Sequence, residues 1–192
     1  LNKLKVLYSL FTICMIRLIY RLCRSLGDAI WDEGYPQAST RLKNLLLRGF
    51  YGDLPKQSYL ASNVTVFFPE RANVFIGANT FIGRDCSFSN FTSVKVGNHC
   101  YVANNVKFLT GTHRTTDYTP YAKEIVVRDK CWIAANVTIT PGVTIAEGCI
   151  IGAGSLVNKN TEPYGIYVGN PARLIKHRDP ALLISNINEE WV

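Results

Sequence analysis

Large aliphatic residues recur at every sixth position through the second half of this chain. Val127, Ile133, Ile139, Ile145, Ile151 and Val157 follow one another without a miss. The residue four places after each is small: Cys131, Val137, Val143, Cys149, Ser155 and Thr161. A helix repeats at about 3.6 residues and a flat strand at 2, so a sustained period of six requires a chain that turns a corner after each short strand. The pattern predicts a β-solenoid assembled from hexapeptides.

The rhythm also runs earlier, with slips. Ile76, Ile82, Phe88 and Val94 share one register, and two extra residues then move it to Val96, Val102 and Phe108. From Phe108 to Val127 the step is nineteen residues, one more than three repeats. That window contains Thr112-His113-Arg114-Thr115-Thr116-Asp117-Tyr118-Thr119-Pro120, which has no inward aliphatic pattern. It reads as a loop over 114–124 ejected from the wall. Insertions in a solenoid map to one face, often the binding face; the plainer reading is a tolerated surface insertion.

With 192 residues, 47% hydrophobic and 18% charged, the chain is too apolar for disorder. Three segments are expected: an N-terminal helical and connector segment over 1–60, the solenoid over 61–162, and a closing segment with a tail or short helix over 163–192. The formal charge of +7 is uneven, since residues 1–60 hold nine Lys/Arg against four Asp/Glu. The six cysteines form no C-x-x-C pair, and Cys86, Cys100, Cys131 and Cys149 each occupy the small position of a hexapeptide. They read as small apolar fillers, without a thiolate metal site. Free thiols fit a reducing, cytoplasmic compartment.

Residues 4–23 are strongly apolar but are interrupted by Lys5, Arg17 and Arg21, leaving eleven uncharged positions between Lys5 and Arg17. A membrane span needs about 20 apolar residues, and no small-residue cleavage site follows the apolar stretch as a secretory signal requires. Two readings stay open: a helix lying on an anionic membrane surface, or one packed on the solenoid.

Several strings, in order, resemble one family. Ser89-Asn90-Phe91, Phe108-Leu109-Thr110-Gly111-Thr112-His113, Cys131-Trp132-Ile133-Ala134, Ile139-Thr140-Pro141-Gly142-Val143-Thr144-Ile145, Ile151-Gly152-Ala153-Gly154-Ser155 and Val168-Gly169-Asn170-Pro171-Ala172-Arg173 are similar to those of the hexapeptide-repeat acyltransferases. The sugar and polysaccharide O-acetyltransferases are the most similar branch. The resemblance spans roughly residues 64–178 and does not extend to the N-terminal domain of the sugar enzymes. It implies a left-handed parallel β-helix, acetyl-CoA as co-substrate with no metal, and a homotrimer with active sites between subunits. It also implies that Asn90 faces the acceptor sugar, that Trp132 lies at a subunit interface near the site, and that pantetheine runs along the coils containing Ala135 and Ala153.

Moving an acetyl group from a thioester to an alcohol needs a base, and a neutral imidazole, with an ordinary pKa of about 6.5, suits the task. Of the three histidines, His99 sits in a regular hexapeptide and reads as an outward wall residue, and His177 lies in the basic tail. His113 ends a strand where the wall opens, and is the candidate general base. The family's loop carboxylate aligns near Thr119, where this chain has none. Asp117 is the available substitute and Glu124 the alternative. Backbone N–H groups are the candidate oxyanion donors. Asn90 also admits the reading of a corner residue in the left-handed region. The phosphates of CoA call for cations, and Lys159 and Arg173, with Lys176 and Arg178 beside them, meet that demand.

The expected function is therefore acetyl-CoA-dependent O-acetylation of a sugar hydroxyl, in surface polysaccharide biosynthesis, with peripheral membrane contact and no nucleic acid partner. A free sugar or an antibiotic is the alternative acceptor. A three-histidine zinc enzyme on the same fold requires histidines on successive wall positions, which His99, His113 and His177 do not supply. A non-catalytic solenoid scaffold gives no reason for the loop at His113.

Overall fold

The computed structural model describes residues 2–30 and 43–181. Over the repeats it is a parallel β-solenoid of about five turns with three walls. One wall stacks Val74–Ile76, Val94–Val96, Ile125–Val127 and Thr144–Ile145. The second runs from Tyr59–Leu60 through Phe81–Ile82, Tyr101–Val102, Trp132–Ile133 and Ile150–Ile151. The third holds Thr65–Val66, Ser87–Ser89, Lys107–Leu109, Thr138–Ile139 and Leu156–Val157. The six-residue aliphatics point inward and stack like on like, Ile82 over Val102 over Ile133 over Ile151. All four are fully buried, each worth about 1.5–3 kcal/mol of transfer free energy. Phe88 and Phe108 stack inside the third wall, 4.6 Å apart.

The corners have their own residue rule. Three positions after the inward aliphatic the backbone enters the left-handed region, as at Asn79, Asp85, Asn105 and Asn136 with φ of 54, 60, 58 and 61°. Asn and Asp tolerate this region better than most side chains. In the last coils glycine takes the position, with Gly142 at φ 84°. His99 belongs to this set, at φ 53°, and is therefore an exposed corner residue where a wall position was expected. The thiols fill corners as the sequence implied, and burial pushes Cys86 up to about 11.

The slips in rhythm all fall at one corner. Between the third wall and the first, the chain goes directly from Ile139 to Ile145, but it takes longer paths from Val66 to Ile76, from Phe88 to Val96 and from Phe108 to Val127. The solenoid starts earlier than residue 61: Asp53 already bridges Phe75, and Tyr59–Leu60 is the first strand of the second wall. It closes in an antiparallel hairpin, Gly165–Gly169 with Ala172–His177, that covers the edge of that wall. The expected tail beyond residue 181 and the connector over 31–42 lie outside the described residues.

Helix α1, Asn2–Ile30, lies against the first coil. Arg17 grips Glu70, with Nη2 2.6 Å from Oε1. Tyr20 is buried, and its hydroxyl accepts from the N–H of Val66 at 2.8 Å. Arg24 donates to Thr65 Oγ1 at 2.5 Å. A solenoid needs its end strand capped, and Tyr20 satisfies a backbone donor that would otherwise be stranded there. Burial, the largest single influence, would raise the Glu70 carboxyl, but the Arg17 hydrogen bonds, a backbone N–H and the charges of Arg17 and Arg71 together hold it below its ordinary value.

Tyr20→Phe should therefore lower the melting temperature, by the roughly 1–3 kcal/mol that an unsatisfied buried donor costs, with the far-UV spectrum unchanged. Because Glu70 is lowered in the folded state, the Arg17–Glu70 contribution is full above the ordinary carboxylate range and is lost as pH falls through the lowered value. Thermal melts in acid should show Arg17→Ala and wild type converging.

Candidate active site

The ejected segment is an ordered antiparallel ribbon in which Gly111–His113 pairs with Pro120–Ala122. The expected loop over 114–124 thus begins as a strand at Gly111, and His113 stands on that strand opposite Pro120. The tip is tight: the N–H of Arg114 donates to Thr119 O at 2.9 Å, and the N–H of Tyr118 donates to Arg114 O at 3.0 Å. His113 is exposed, and among the described residues no side chain is bonded to its imidazole.

Both feet of the ribbon are fastened to the corner below. Thr110 is fully buried; its hydroxyl donates to Ser89 O at 2.7 Å and accepts from the N–H of Thr92 at 3.2 Å. At the other foot Glu124 accepts from Ser93 Oγ at 2.7 Å and pairs with Lys95 Nζ at 3.0 Å. These partners, Ser93 first, hold the Glu124 carboxyl below its ordinary value. The N–H of Lys123 donates to Thr110 O at 2.9 Å and closes the base. Gly111 has no room for a side chain, because a Cβ there would run into the Phe91 ring.

Asn90 is the keystone of that lower corner. It has no exposed surface. Its Nδ2 donates to Phe68 O at 2.9 Å and Asn73 Oδ1 at 2.6 Å, and its Oδ1 accepts from the N–H of Phe68 at 2.9 Å. Both amide protons are therefore committed within the fold, and its φ is not positive, so the left-handed corner reading does not apply. The groups it leaves at the surface are Phe67 and Phe91, both about half exposed. Arg71 stacks over Phe68, 4.7 Å from the ring centroid, and donates to Phe91 O. The two carboxylates weighed as partners of His113 are both occupied. Asp117 Oδ1 accepts from the N–H of Thr119 at 3.0 Å, which lowers its carboxyl, and Glu124 is held by Ser93 and Lys95.

The other candidates lie elsewhere on the prism. Lys159 and Arg173 line one groove of about 250 Å³ at the closing end, together with Asn158 and Leu174. Arg178 donates to Gly148 O at 3.1 Å, and Lys176 is exposed beside it. Ala135 and Ala153 stack at the corner between the second and third walls, where the N–H of Gly154 donates to Ala135 O at 2.9 Å. That is a different corner from the one carrying His113. Trp132 continues an outward row on the second wall after Tyr59, Phe81 and Tyr101. The rings of Phe81 and Tyr101 stack at 4.8 Å, and Trp132 is 49% exposed. His177 Nε2 sits 3.3 Å from Glu162. A single chain thus brings His113 together with Thr110, Phe91 and the Asn90 corner, but not with Ala135, Ala153 or Trp132.

Thr110, Ser93 and Arg71 are parts of the site that residue types alone did not point to. The available signal was the pair of extra residues before Val96, which marks the corner that Ser93 and Thr110 tie to the ribbon.

Residues 124–159 match the family "Bacterial transferase hexapeptide (six repeats)", and residues 73–107 match "Hexapeptide repeat of succinyl-transferase". The chain is 30% identical over 145 residues to the Escherichia coli (strain K12) protein named "Putative colanic acid biosynthesis acetyltransferase WcaF", covering 74% of this chain and 79% of that one. Among solved structures it resembles a maltose O-acetyltransferase from Clostridium difficile 630, with TM-score 0.71, 28% identity, and 86% and 89% of the two chains covered. It also resembles the hexapeptide-repeat acetyltransferase VCA0836 of Vibrio cholerae O1 biovar eltor complexed with acetyl coenzyme A. There the TM-score is 0.74 at 25% identity, with 88% and 90% covered.

Thr110→Val should release one foot of the ribbon and speed amide exchange in residues 111–122 while leaving the wall strands protected. Glu124 should act the same way with pH. Its anchor is intact above the ordinary carboxylate range and is lost as pH falls through the lowered folded-state value. Protection of the ribbon amides, taken relative to their intrinsic exchange rates, should therefore fall in acid in the wild type and be less pH-dependent in Glu124→Gln.

Proposed function

Since this chain belongs to the hexapeptide-repeat acetyltransferases, enzymes built on a left-handed β-helix, we propose that it transfers the acetyl group of acetyl-CoA to a hydroxyl of a saccharide destined for surface polysaccharide, with His113 as general base. The observation that carries this reading is the exposed imidazole of His113, without a side-chain partner among the described residues, on a ribbon whose two feet are tied down. A base must be held in place and yet be free to accept a proton from substrate.

In the proposed reaction the imidazole takes the proton of the acceptor hydroxyl as its oxygen attacks the thioester carbonyl. The tetrahedral intermediate collapses, the C–S bond breaks, and the proton passes from the imidazolium to the departing CoA sulfur. Backbone N–H groups near the thioester stabilise the oxyanion. The acceptor sits against Phe67 and Phe91, whose exposed rings offer apolar faces to a sugar, while Asn90 holds the corner that presents them. Asp117 is assigned to the ribbon tip that fixes the direction of His113.

Lys159 and Arg173 would meet the phosphates of CoA, and the small Ala135 and Ala153 leave room for pantetheine beside backbone. Because these alanines occupy a different corner from His113, the complete site is assigned to two neighbouring copies in a homotrimer, with Trp132 between them. The colanic acid relative favours a polysaccharide acceptor over a free sugar or an antibiotic. Work at the inner face of the cytoplasmic membrane fits that acceptor.

His113→Ala should lower kcat by about 10²–10⁴-fold with the Kd for acetyl-CoA unchanged, assayed by free-thiol release over a panel of saccharides. Lys159→Ala and Arg173→Ala should weaken CoA binding in calorimetry and raise KM with little change in kcat. Near wild-type turnover in His113→Ala would remove the general-base assignment.

A further inference from the structure

Helix α1 keeps a second apolar side that faces away from the solenoid. An amphipathic helix on a protein surface normally buries its apolar stripe and exposes its charges. Here the side turned to the solenoid carries Ile13, Ile16 and Cys23, all half-buried, and Arg17, Tyr20 and Arg24, which engage Glu70, Val66 and Thr65. The side turned away carries Phe11, Met15, Leu18, Leu22 and Leu26, between 39% (Met15) and 64% (Phe11) exposed. Ile19 lies among them, also exposed. The spacing of 11, 15, 18, 22 and 26 follows one face of a helix. A continuous apolar strip of this kind marks a contact surface.

The charge of the helix identifies what covers it. The helix contains Lys3, Lys5, Arg17, Arg21 and Arg24 against a single acidic residue, Asp28. Arg17 is neutralised by Glu70, and Arg21 is exposed with no carboxylate partner among the described residues. A second copy meeting this face would set one net-positive helix against another. Anionic lipid headgroups supply the missing charge, and an acyl boundary receives the leucines. No described helix is long and apolar enough to cross a membrane.

We infer that α1 lies flat on an anionic lipid surface, with Phe11, Met15, Leu18, Leu22 and Leu26 entering the headgroup–acyl boundary. The solenoid hangs from its other side by Arg17, Tyr20 and Arg24. Glu70, the residue gripped by Arg17, lies in the first of the three lengthened corners, next to Phe67 and Phe68. Docking therefore brings the corner that carries Phe67 and Phe91 towards the lipid surface, within reach of a saccharide held there by a lipid. The docking does not depend on the chemistry at His113 and would stand if that assignment failed.

The full-length protein should sediment with vesicles of phosphatidylcholine mixed with phosphatidylglycerol and much less with phosphatidylcholine alone, with binding that weakens as salt rises. The double variant Leu18→Glu/Leu22→Glu should bind the anionic vesicles at least about tenfold more weakly, with unchanged melting temperature and CoA affinity. Arg21→Glu, which keeps the apolar strip, should lose preference for the anionic vesicles and serves if the double variant does not fold. Absence of wild-type binding, or equal binding by the variants, overturns the inference. So does a drop in oligomer size in light scattering of the double variant without lipid, since the strip would then be an interface between copies.

Discussion

Stacking of identical coils governs this molecule. Each short strand is bonded to the one a coil above, so a residue inserted along a wall would break the registers above and below it, whereas a residue inserted at a corner costs only a longer bend. The walls therefore stay strict, with Ile133 under Ile151 and Ile139 under Val157, and variation collects at the corners. Three successive coils place their extra residues at the same corner, and the ribbon bearing His113 is the largest of these extensions. The site arises where the ladder tolerates irregularity.

That tolerance has to be combined with rigidity. A ribbon ejected from a wall has few packing partners, and its position depends on fastening at the base. Thr110 and Glu124 supply this from opposite feet, and both reach the short corner 89–93, which Asn90 braces from within through Phe68 and Asn73. The same brace leads through Phe68 to Arg17 of α1. One connected set of contacts thus runs from the N-terminal helix through the lower corner to the ribbon that bears His113.

The walls were legible from the sequence because a period of six states which residues point inward and which coil stacks on which. The interruption around His113 was legible for the same reason. The corner rule was present too, in the Asn, Asp or Gly three places after each aliphatic, though His99 and Lys130 occupy it and blur the signal. Asn90 shows the limit: its residue type fits sugar binding, a turn or a buried bracket equally well, and only the surrounding groups at Phe68 and Asn73 distinguish them. The attachment of α1 was hidden for a related reason. Apolar residues lie all round this helix, so hydrophobic pattern leaves its orientation open, and the long-range pairing of Arg17 with Glu70 and Tyr20 with Val66 decides it.

The central claim is that the chemistry resides at the corner built from residues 67–73, 89–93 and 110–124, completed by a neighbouring copy. A crystal structure of the assembly with a non-transferable acetyl-CoA analogue tests it most directly. The account predicts the acyl carbon within about 3–4 Å of the space in front of the His113 imidazole, with pantetheine lying along Ala135 and Ala153 of another copy. An acyl group seated at either of the other two corners, away from any His113, would contradict it.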